Sequence, residues 1–221
     1  MNQTSKNIFI LIISIFVLVS TCNAQFKYAG GKIGYNLSKL NYDPKMIELD
    51  FGYRMGINIG LFVEYQLTNL FSIHTELNYS MRGGNYAPNF LLQQPTGKYT
   101  EKYTQKLDYL EIPILIQYRF TMDSNPISPK IFIGPEISYL ISAKNQYENN
   151  YISRVVSERE RFKSIEYGLV LGLGMDLNIL MNKFTFDARY NFGLNNVSKK
   201  TDVNIISNTI SINIGCVLKI L

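Results

Sequence analysis

The chain has 221 residues with 46% hydrophobic side chains, which fits one domain and excludes both a disordered chain and a two-domain enzyme. Only 18% of the residues are charged, and the formal net charge of +5 is too mild to indicate nucleic-acid binding. The 16 Tyr, 13 Phe and 15 Gly, with no Trp, favour strands over helices.

Residues 1–24 have the three parts of a secretory signal peptide. Lys6 gives a positive start, an apolar run follows over 8–19, and small residues precede the expected cleavage point after Ala24. We therefore predict a signal peptide over 1–24 and a single mature domain over 25–221. No stretch of that domain is long and apolar enough to cross a bilayer as a helix.

Two other interpretations of the leader stay open. One is a membrane anchor, for which the apolar run is short, and the other is a lipoprotein signal that would be lipidated at Cys22. If Cys22 leaves with the leader, the mature chain keeps only Cys216 and cannot form an internal disulfide.

Strand patterns run through the mature chain. Every odd position of 51–67 is apolar while the even positions are mostly polar or glycine, which is the two-residue period of a strand. After a break at 68–70 the alternation resumes over 71–82, so these two strands form a hairpin. Six further candidates bring the total to eight strands, the minimum for a small closed membrane barrel, and lie at 28–38, 104–120, 130–143, 165–177, 184–194 and 206–220.

The lengths of the strands and of the connections between them favour a membrane barrel over a soluble one. A soluble lipocalin-like barrel would also alternate in polarity, but its strands are usually about five or six residues long, whereas a tilted strand needs about nine to eleven to cross a bilayer. Tyr53 and Tyr65 are spaced by about 31 Å along the membrane normal, which fits two aromatic girdles. Short breaks fall at 68–70, 121–129 and 178–183, and longer polar ones at 39–50, 84–103, 144–163 and 196–205.

These features predict an all-β fold, an eight-stranded antiparallel up-and-down transmembrane β-barrel in the outer membrane, with both termini on the periplasmic side. Its polar faces would fill the lumen with ion pairs and so plug it; conduction or a proton relay is the alternative. The small residues at 168–174 would leave room for arginines of facing strands. The lumen charges would be Arg54, Glu64, Glu76, Arg82, Glu111, Arg119, Lys130, Glu136, Glu166, Asp176, Asp187 and Arg189, joined by Asn58, Gln66, Asn78 and Gln117.

The fourth strand breaks the pattern twice. Its apolar parity changes from odd to even near Tyr109-Leu110, which predicts one extra residue there. Pro113 and Pro135 lie inside the fourth and fifth strands, and proline cannot donate to a ladder. Folding this hairpin about residue 125 places Pro113 near Ile137, so we predict that the ladder is interrupted there.

Little in the chain points to catalysis. His74 is the only histidine and shares a face with Glu76, which predicts a hydrogen bond in the lumen; the alternative is a catalytic pair in a lipid-modifying enzyme. No CxxC, HExxH or P-loop sequence is present, and the glycines at 168–174 lack the strand-then-helix context of a phosphate site. We expect no catalytic, cofactor-binding or metal-binding residues and no cofactor.

Two long loops are candidates for contact with partners. The third, 144–163, has a net charge of about +2 and is either a contact for lipopolysaccharide phosphates or an acidic partner, or a solvated loop of mixed charge. The second either folds over the barrel mouth or docks a partner, because it carries Tyr86, Phe90, Leu91, Leu92, Tyr99 and Tyr103.

The runs YLEIP at 109–113 and QYRF at 117–120 resemble the PorT-like outer membrane β-barrel family of Bacteroidota, and those at 167–172 and 188–194 look like its later strands. The likeness covers essentially the whole mature chain. It implies an eight-stranded outer-membrane barrel, mostly of unassigned function, with one branch tied to type IX secretion and gliding. The chain departs from the family at its end, because it finishes on Lys-Ile-Leu where such barrels often finish on an aromatic residue.

We therefore expect a non-enzymatic integral outer-membrane protein that is structural, adhesive or ligand-binding through its outward loops. Its expected partners are outer-membrane lipid and lipopolysaccharide, with a protein at the extracellular loops or in a secretion complex, and no nucleic acid. An accessory subunit of a type IX secretion or gliding machinery is the alternative, and a lipid-modifying enzyme built around His74 is the third hypothesis.

Overall fold

The computed structural model describes residues 26–43, 51–86, 102–120, 126–148, 151–179 and 182–219. The expected signal peptide with Cys22, the last two residues and most of the second loop lie outside these ranges. No helix in the described ranges is long and apolar enough to cross a membrane. The elements are β1 Phe26–Asp43, β2 Phe51–Gln66, β3 Phe71–Tyr86, β4 Lys102–Arg119, β5 Ile127–Glu148, β6 Ser153–Ser157, a 3-10 turn Arg159–Arg161, β7 Ile165–Ile179, β8 Asn182–Gly193 and β9 Asn204–Lys219.

Eight of these strands close into the predicted antiparallel barrel. Each pairs with the next barrel strand along the chain, and β1 pairs with β9 to complete the ring. At this seam Ile33 lies between Ile59 of β2 and Ile214 of β9, and all three side chains point outward. The additional strand, β6, lies outside the ring and pairs with the part of β5 that extends beyond the barrel. A loop was expected there from the sequence.

The barrel has its apolar face outside and its polar face inside. Leu61 is 67% exposed and Leu173 63% exposed, whereas Lys32, Glu64 and Arg82 are buried. A protein folded in water places these groups the other way round. The alternating outward stripe therefore matches a barrel whose outer wall contacts hydrocarbon.

A bulge lies between β4 and β5 at the expected height, but the extra residue belongs to β5. The register shifts beside Tyr109, whose partner is Leu140, and Ile141 is the residue without an opposite. Because β4 itself does not slip, Leu107 and Tyr109 point inward, where the parity change had suggested that they face lipid. They belong to an apolar layer across the lumen that comprises Leu40, Leu107, Tyr109, Leu140, Ala143, Phe162, Val197 and Ile205.

The predicted interruption of the ladder at the two prolines is confirmed. Described pairing between β4 and β5 runs to Pro113 and resumes at Ile116, so two positions are skipped. Proline has no N–H to donate, and Pro135 occupies the skipped stretch of β5. Pro113 lies opposite Glu136 and not Ile137, so the expected register was wrong by one residue.

The small residues of β7 make room for side chains of the adjacent strand β5, which corrects the expectation that arginines of facing strands fill this space. A Cβ atom on Gly172 would lie 2.3 Å from the ring of Phe132, and one on Gly174 would lie 3.0 Å from Cε of Lys130. The guanidinium of Arg189 stacks on the Phe132 ring, with its Cζ 5.3 Å from the ring centre. The narrow lumen is therefore packed by neighbours as well as by facing strands.

Replacing Gly172 with Leu is expected to lower the free energy of unfolding by about 1–3 kcal/mol, because the new side chain overlaps the Phe132 ring. The double variant with Phe132→Ala should recover most of that loss, since the smaller residue vacates the space. Urea unfolding in detergent micelles, followed by the heat-modifiable gel band, measures both. Strictly additive losses in the double variant would contradict this packing.

Candidate interaction site at the outward mouth of the barrel

Below the mouth, the described residues of the lumen include acidic and basic side chains in equal number. All of them except Lys32 and Lys183 were predicted from the sequence. Lys32 lies in a weakly patterned strand whose face was not assigned, and Lys183 lies at the end of an expected turn. The basic groups are Lys32, Arg54, Arg82, Arg119, Lys130, Lys183 and Arg189, and the acidic groups are Glu64, Glu76, Glu111, Glu136, Glu166, Asp176 and Asp187.

Arg82 stands at the centre of one cluster, which we call the Arg82 cage. Its guanidinium lies 2.6 Å from a carboxylate oxygen of Glu111, 2.5 Å from one of Glu136 and 3.5 Å from one of Glu166. The ring of Tyr109 lies beside it, with a centre 5.4 Å from Cζ. One cation thus joins strands β3, β4, β5 and β7.

Glu76 is the centre of a second cluster. Its carboxylate accepts hydrogen bonds from Arg189 at 2.9 and 3.1 Å and forms an ion pair with Lys32. His74 Nε2 lies 2.9 Å from Glu76 Oε1, which confirms the predicted lumen hydrogen bond, and its ring stacks on Phe62 at 4.8 Å. His74 is therefore held on both sides inside the packed lumen.

A third cluster lies around Asp176. Its carboxylate contacts Arg119 at 3.0 Å, Lys130 at 2.9 Å and Lys183 at 2.9 Å, and Arg119 also bonds Glu64 at 2.9 Å. Within the described ranges, no three His, Cys, Asp or Glu side chains are grouped so that they could hold a metal ion. The lumen is thus built as a cross-linked filling in which most charges pair with one another, while Arg54 donates to the backbone carbonyl of Arg82.

The outward mouth contains a cavity of about 280 Å³. The apolar layer that includes Leu40 and Tyr109 lies between it and the ion pairs. Its walls combine aromatic rings with amides and charged groups from strands β1, β3, β4, β5 and β9 and from the third and fourth loops. They are formed by Tyr42, Gly84, Tyr103, Gln105, Asn145, Glu158, Arg161, Phe162, Ser198, Lys200, Val203 and Ile205.

Tyr42 shows how this cavity is held together. Its hydroxyl donates a hydrogen bond of 2.7 Å to Gln105 Oε1, which joins β1 to β4 across the mouth. Burial raises the pKa of the Tyr42 hydroxyl to about 12. The group therefore remains a neutral donor across the physiological range of pH.

The third loop is ordered in its described part, where the sequence suggested a polar connection. Beyond the β5–β6 hairpin and the 3-10 turn, Phe162 forms a bridge with Ser198 of the fourth loop. Lys163 N donates to Val197 O at 2.8 Å, and Lys199 N donates to Arg161 O at 2.9 Å. The third and fourth loops therefore form one rim of the mouth.

Some charged side chains of the third loop are bonded to neighbouring groups and others have no ion pair. Arg161 pairs with Glu158 at 2.6 Å, and Arg159 bonds the Phe162 carbonyl at 3.3 Å and the Ser164 hydroxyl at 2.9 Å. Three basic side chains of this loop are exposed and have no ion pair within the described residues: Lys144, Arg154 and Lys163. These charges were identified from the sequence. The mouth cavity was not, because it depends on the pairing of β1 with β9, which no local sequence pattern indicates.

A family model described as "Outer membrane protein beta-barrel domain" matches residues 23–199. A search of the curated proteins finds no match to this sequence. The sequence match therefore comes from the family model.

Several solved structures are similar in shape. The attachment invasion locus protein Ail of Yersinia pestis is 17% identical with a TM-score of 0.39, over 87% of this chain and 99% of that chain. OprG of Pseudomonas aeruginosa is 13% identical with a TM-score of 0.48, over 87% and 95%. A major outer membrane protein of Thermus thermophilus is 10% identical with a TM-score of 0.45, over 85% and 99%. At these identities the likeness concerns the fold alone.

Proposed function

Because this chain belongs to the outer membrane protein β-barrel domain family, we propose that it is a non-enzymatic integral barrel that acts as a structural or adhesive protein through its outward loops. Its place is the outer membrane. The proposal includes export by cleavage after Ala24, and contact of the outward rim with lipopolysaccharide or with a protein.

The observation that carries this proposal is the contrast between the two ends of the barrel. At one end β2 and β3 are joined by a tight turn at 67–70. At the other end the third and fourth loops add a strand, a 3-10 turn, a bridge and a cavity. Loops carried on a rigid scaffold are where binding surfaces are usually built.

The filled lumen supports a role at the surface in preference to transport. The Arg82 cage, the cluster around Glu76 and the cluster around Asp176 occupy the interior with buried side chains. A barrel of eight strands is only wide enough for such side chains, so solute passage would require these ion pairs to be dismantled.

The test is to replace residues 147–154 with a two-residue Asn-Gly turn, which removes the tip of the β5–β6 hairpin. The shortened protein should still show heat-modifiable migration on gels, because the barrel strands are intact. Vesicles that carry the shortened protein should no longer bind immobilised lipopolysaccharide or extracellular proteins. A control variant with an insertion in the turn 67–70 should keep that binding.

The PorT-like alternative is a subunit of a type IX secretion or gliding machinery, which would use the periplasmic turns or the lipid-facing wall. Pulldown from native membranes separates the two roles. Reproducible capture of secretion components, disrupted by the insertion at 67–70 and not by the shortened hairpin, would contradict the adhesive proposal.

A further inference from the structure

The short strand β6 has an open edge. Each of the eight barrel strands pairs on both sides, whereas β6 pairs with β5 alone among the described strands. Its five residues are all exposed, including Val155 at 56% and Val156 at 44%. An exposed, apolar strand edge is a template for pairing with another chain.

The ladder determines which backbone groups are open. Glu158 N donates to Ala143 O at 2.9 Å, in the register that continues from the β5–β6 pairs, so this is a hydrogen-bonded pair. Hydrogen-bonded and non-hydrogen-bonded pairs alternate along an antiparallel ladder. The N–H and C=O groups that point away from β5 are therefore those of Ser153, Val155 and Ser157.

Side chains next to this edge specify the charge of a partner. Arg154 and Val156 lie on the same face as their partners Tyr147 and Asn145, and Asn145 lines the mouth cavity. Arg154 is exposed and has no ion pair among the described residues. A strand added to β6 would thus place a side chain beside Arg154 and the next one on that face beside Val156.

We propose that the β6 edge binds an extended acidic segment of a partner protein by strand addition, with an acidic side chain against Arg154 and an apolar one against Val156. This inference rests on the proposed adhesive function and names the partner class. Backbone bonds to Ser153, Val155 and Ser157 supply the pairing. The alternating side chains supply selectivity.

Charge disfavours a second copy of this chain as the occupant. Two β6 edges paired with each other would bring together two loops that each have a net charge of about +2. Opposite charge across the new edge favours the acidic segment.

The test uses the full chain in phospholipid nanodiscs and a synthetic nine-residue peptide with Ser at every odd position and Glu and Val in turn at the even positions, so that Glu and Val share one face of the strand. We expect binding that weakens with salt and is at least about tenfold weaker for a peptide with Lys in place of Glu. A peptide N-methylated at alternate backbone positions on its pairing edge should also bind at least about tenfold more weakly, because it lacks those donors.

Two substitutions test the protein side. Val155→Pro removes an N–H that faces away from β5, so it keeps the β5–β6 ladder and should weaken binding of the acidic peptide by about tenfold. Arg154→Glu should have a similar effect and should improve binding of the Lys peptide. Lys199→Glu, the same charge change at an exposed position of the fourth loop, should change acidic-peptide binding by less than about threefold.

Equal binding of the plain and N-methylated peptides would overturn the proposal, as would Val155→Pro with unchanged affinity. A concentration-dependent dimer abolished by Val155→Pro would overturn it in favour of a second copy. Vesicle adhesion that is present in the wild type and unchanged in Val155→Pro would reject the edge and leave the proposed function standing. If the wild type shows no vesicle adhesion but binds the peptide, the proposed function is rejected and the proposal for the β6 edge stands.

Discussion

Replacing Arg82 with Met is expected to lower the free energy of unfolding by about 3–5 kcal/mol. The Arg82 guanidinium contacts three carboxylates, on Glu111, Glu136 and Glu166, and its side chain is 2% exposed. Its removal leaves those carboxylates facing one another without a cation, in a space that water does not reach. Urea titration in detergent micelles, read from the fraction of heat-modifiable folded band, measures the loss.

Two controls separate charge from packing. Converting Glu111, Glu136 and Glu166 to Gln in the Arg82→Met background should restore most of the stability, because the uncompensated charges are gone. Arg161→Met removes an arginine from the surface ion pair with Glu158 and should cost less than about 1 kcal/mol. A loss of less than about 1 kcal/mol for Arg82→Met would contradict the cage as a stabilising element.

The sequence predicted the charges of the lumen well and their partners poorly. The two-residue period placed Arg82, Glu136 and Glu166 on polar faces, because alternation is local in the chain. It could not bring them together, because a contact between β3, β5 and β7 depends on strand tilt and on the stagger of the whole ring. The sealed interior was therefore predictable, whereas the Arg82 cage was not.

Two errors have different physical causes. The extra residue was expected in β4 because alternation identifies an apolar face without telling lipid from a buried apolar layer, to which Leu107 and Tyr109 belong. The segment 153–157 was left in a loop because five residues with two adjacent valines give no clear period. Its strand exists because β5 continues past the barrel and offers it an edge.

Replacing Ile59 with Arg is expected to lower the free energy of unfolding in phospholipid vesicles by about 2–4 kcal/mol. Ile59 is 53% exposed and lies midway along β2 between Tyr53 and Tyr65, with Ile33 and Tyr79 as its cross-strand neighbours. If hydrocarbon surrounds this part of the wall, the guanidinium must enter it or thin the bilayer. Unfolding of the vesicle-inserted protein by guanidinium chloride measures the loss.

Leu67→Arg is the matched control for that substitution. Leu67 is 52% exposed and follows β2 immediately, eight residues after Ile59 on the same side, but it lies in the turn beside Phe71. At the interface an arginine costs only about 0–1 kcal/mol, so the two variants should differ by about 2 kcal/mol or more. Two equally exposed positions on a wall bathed in water would each change stability by about 0.5 kcal/mol or less. Equal small losses at both positions would therefore show that water, not lipid, covers the outer face of the barrel.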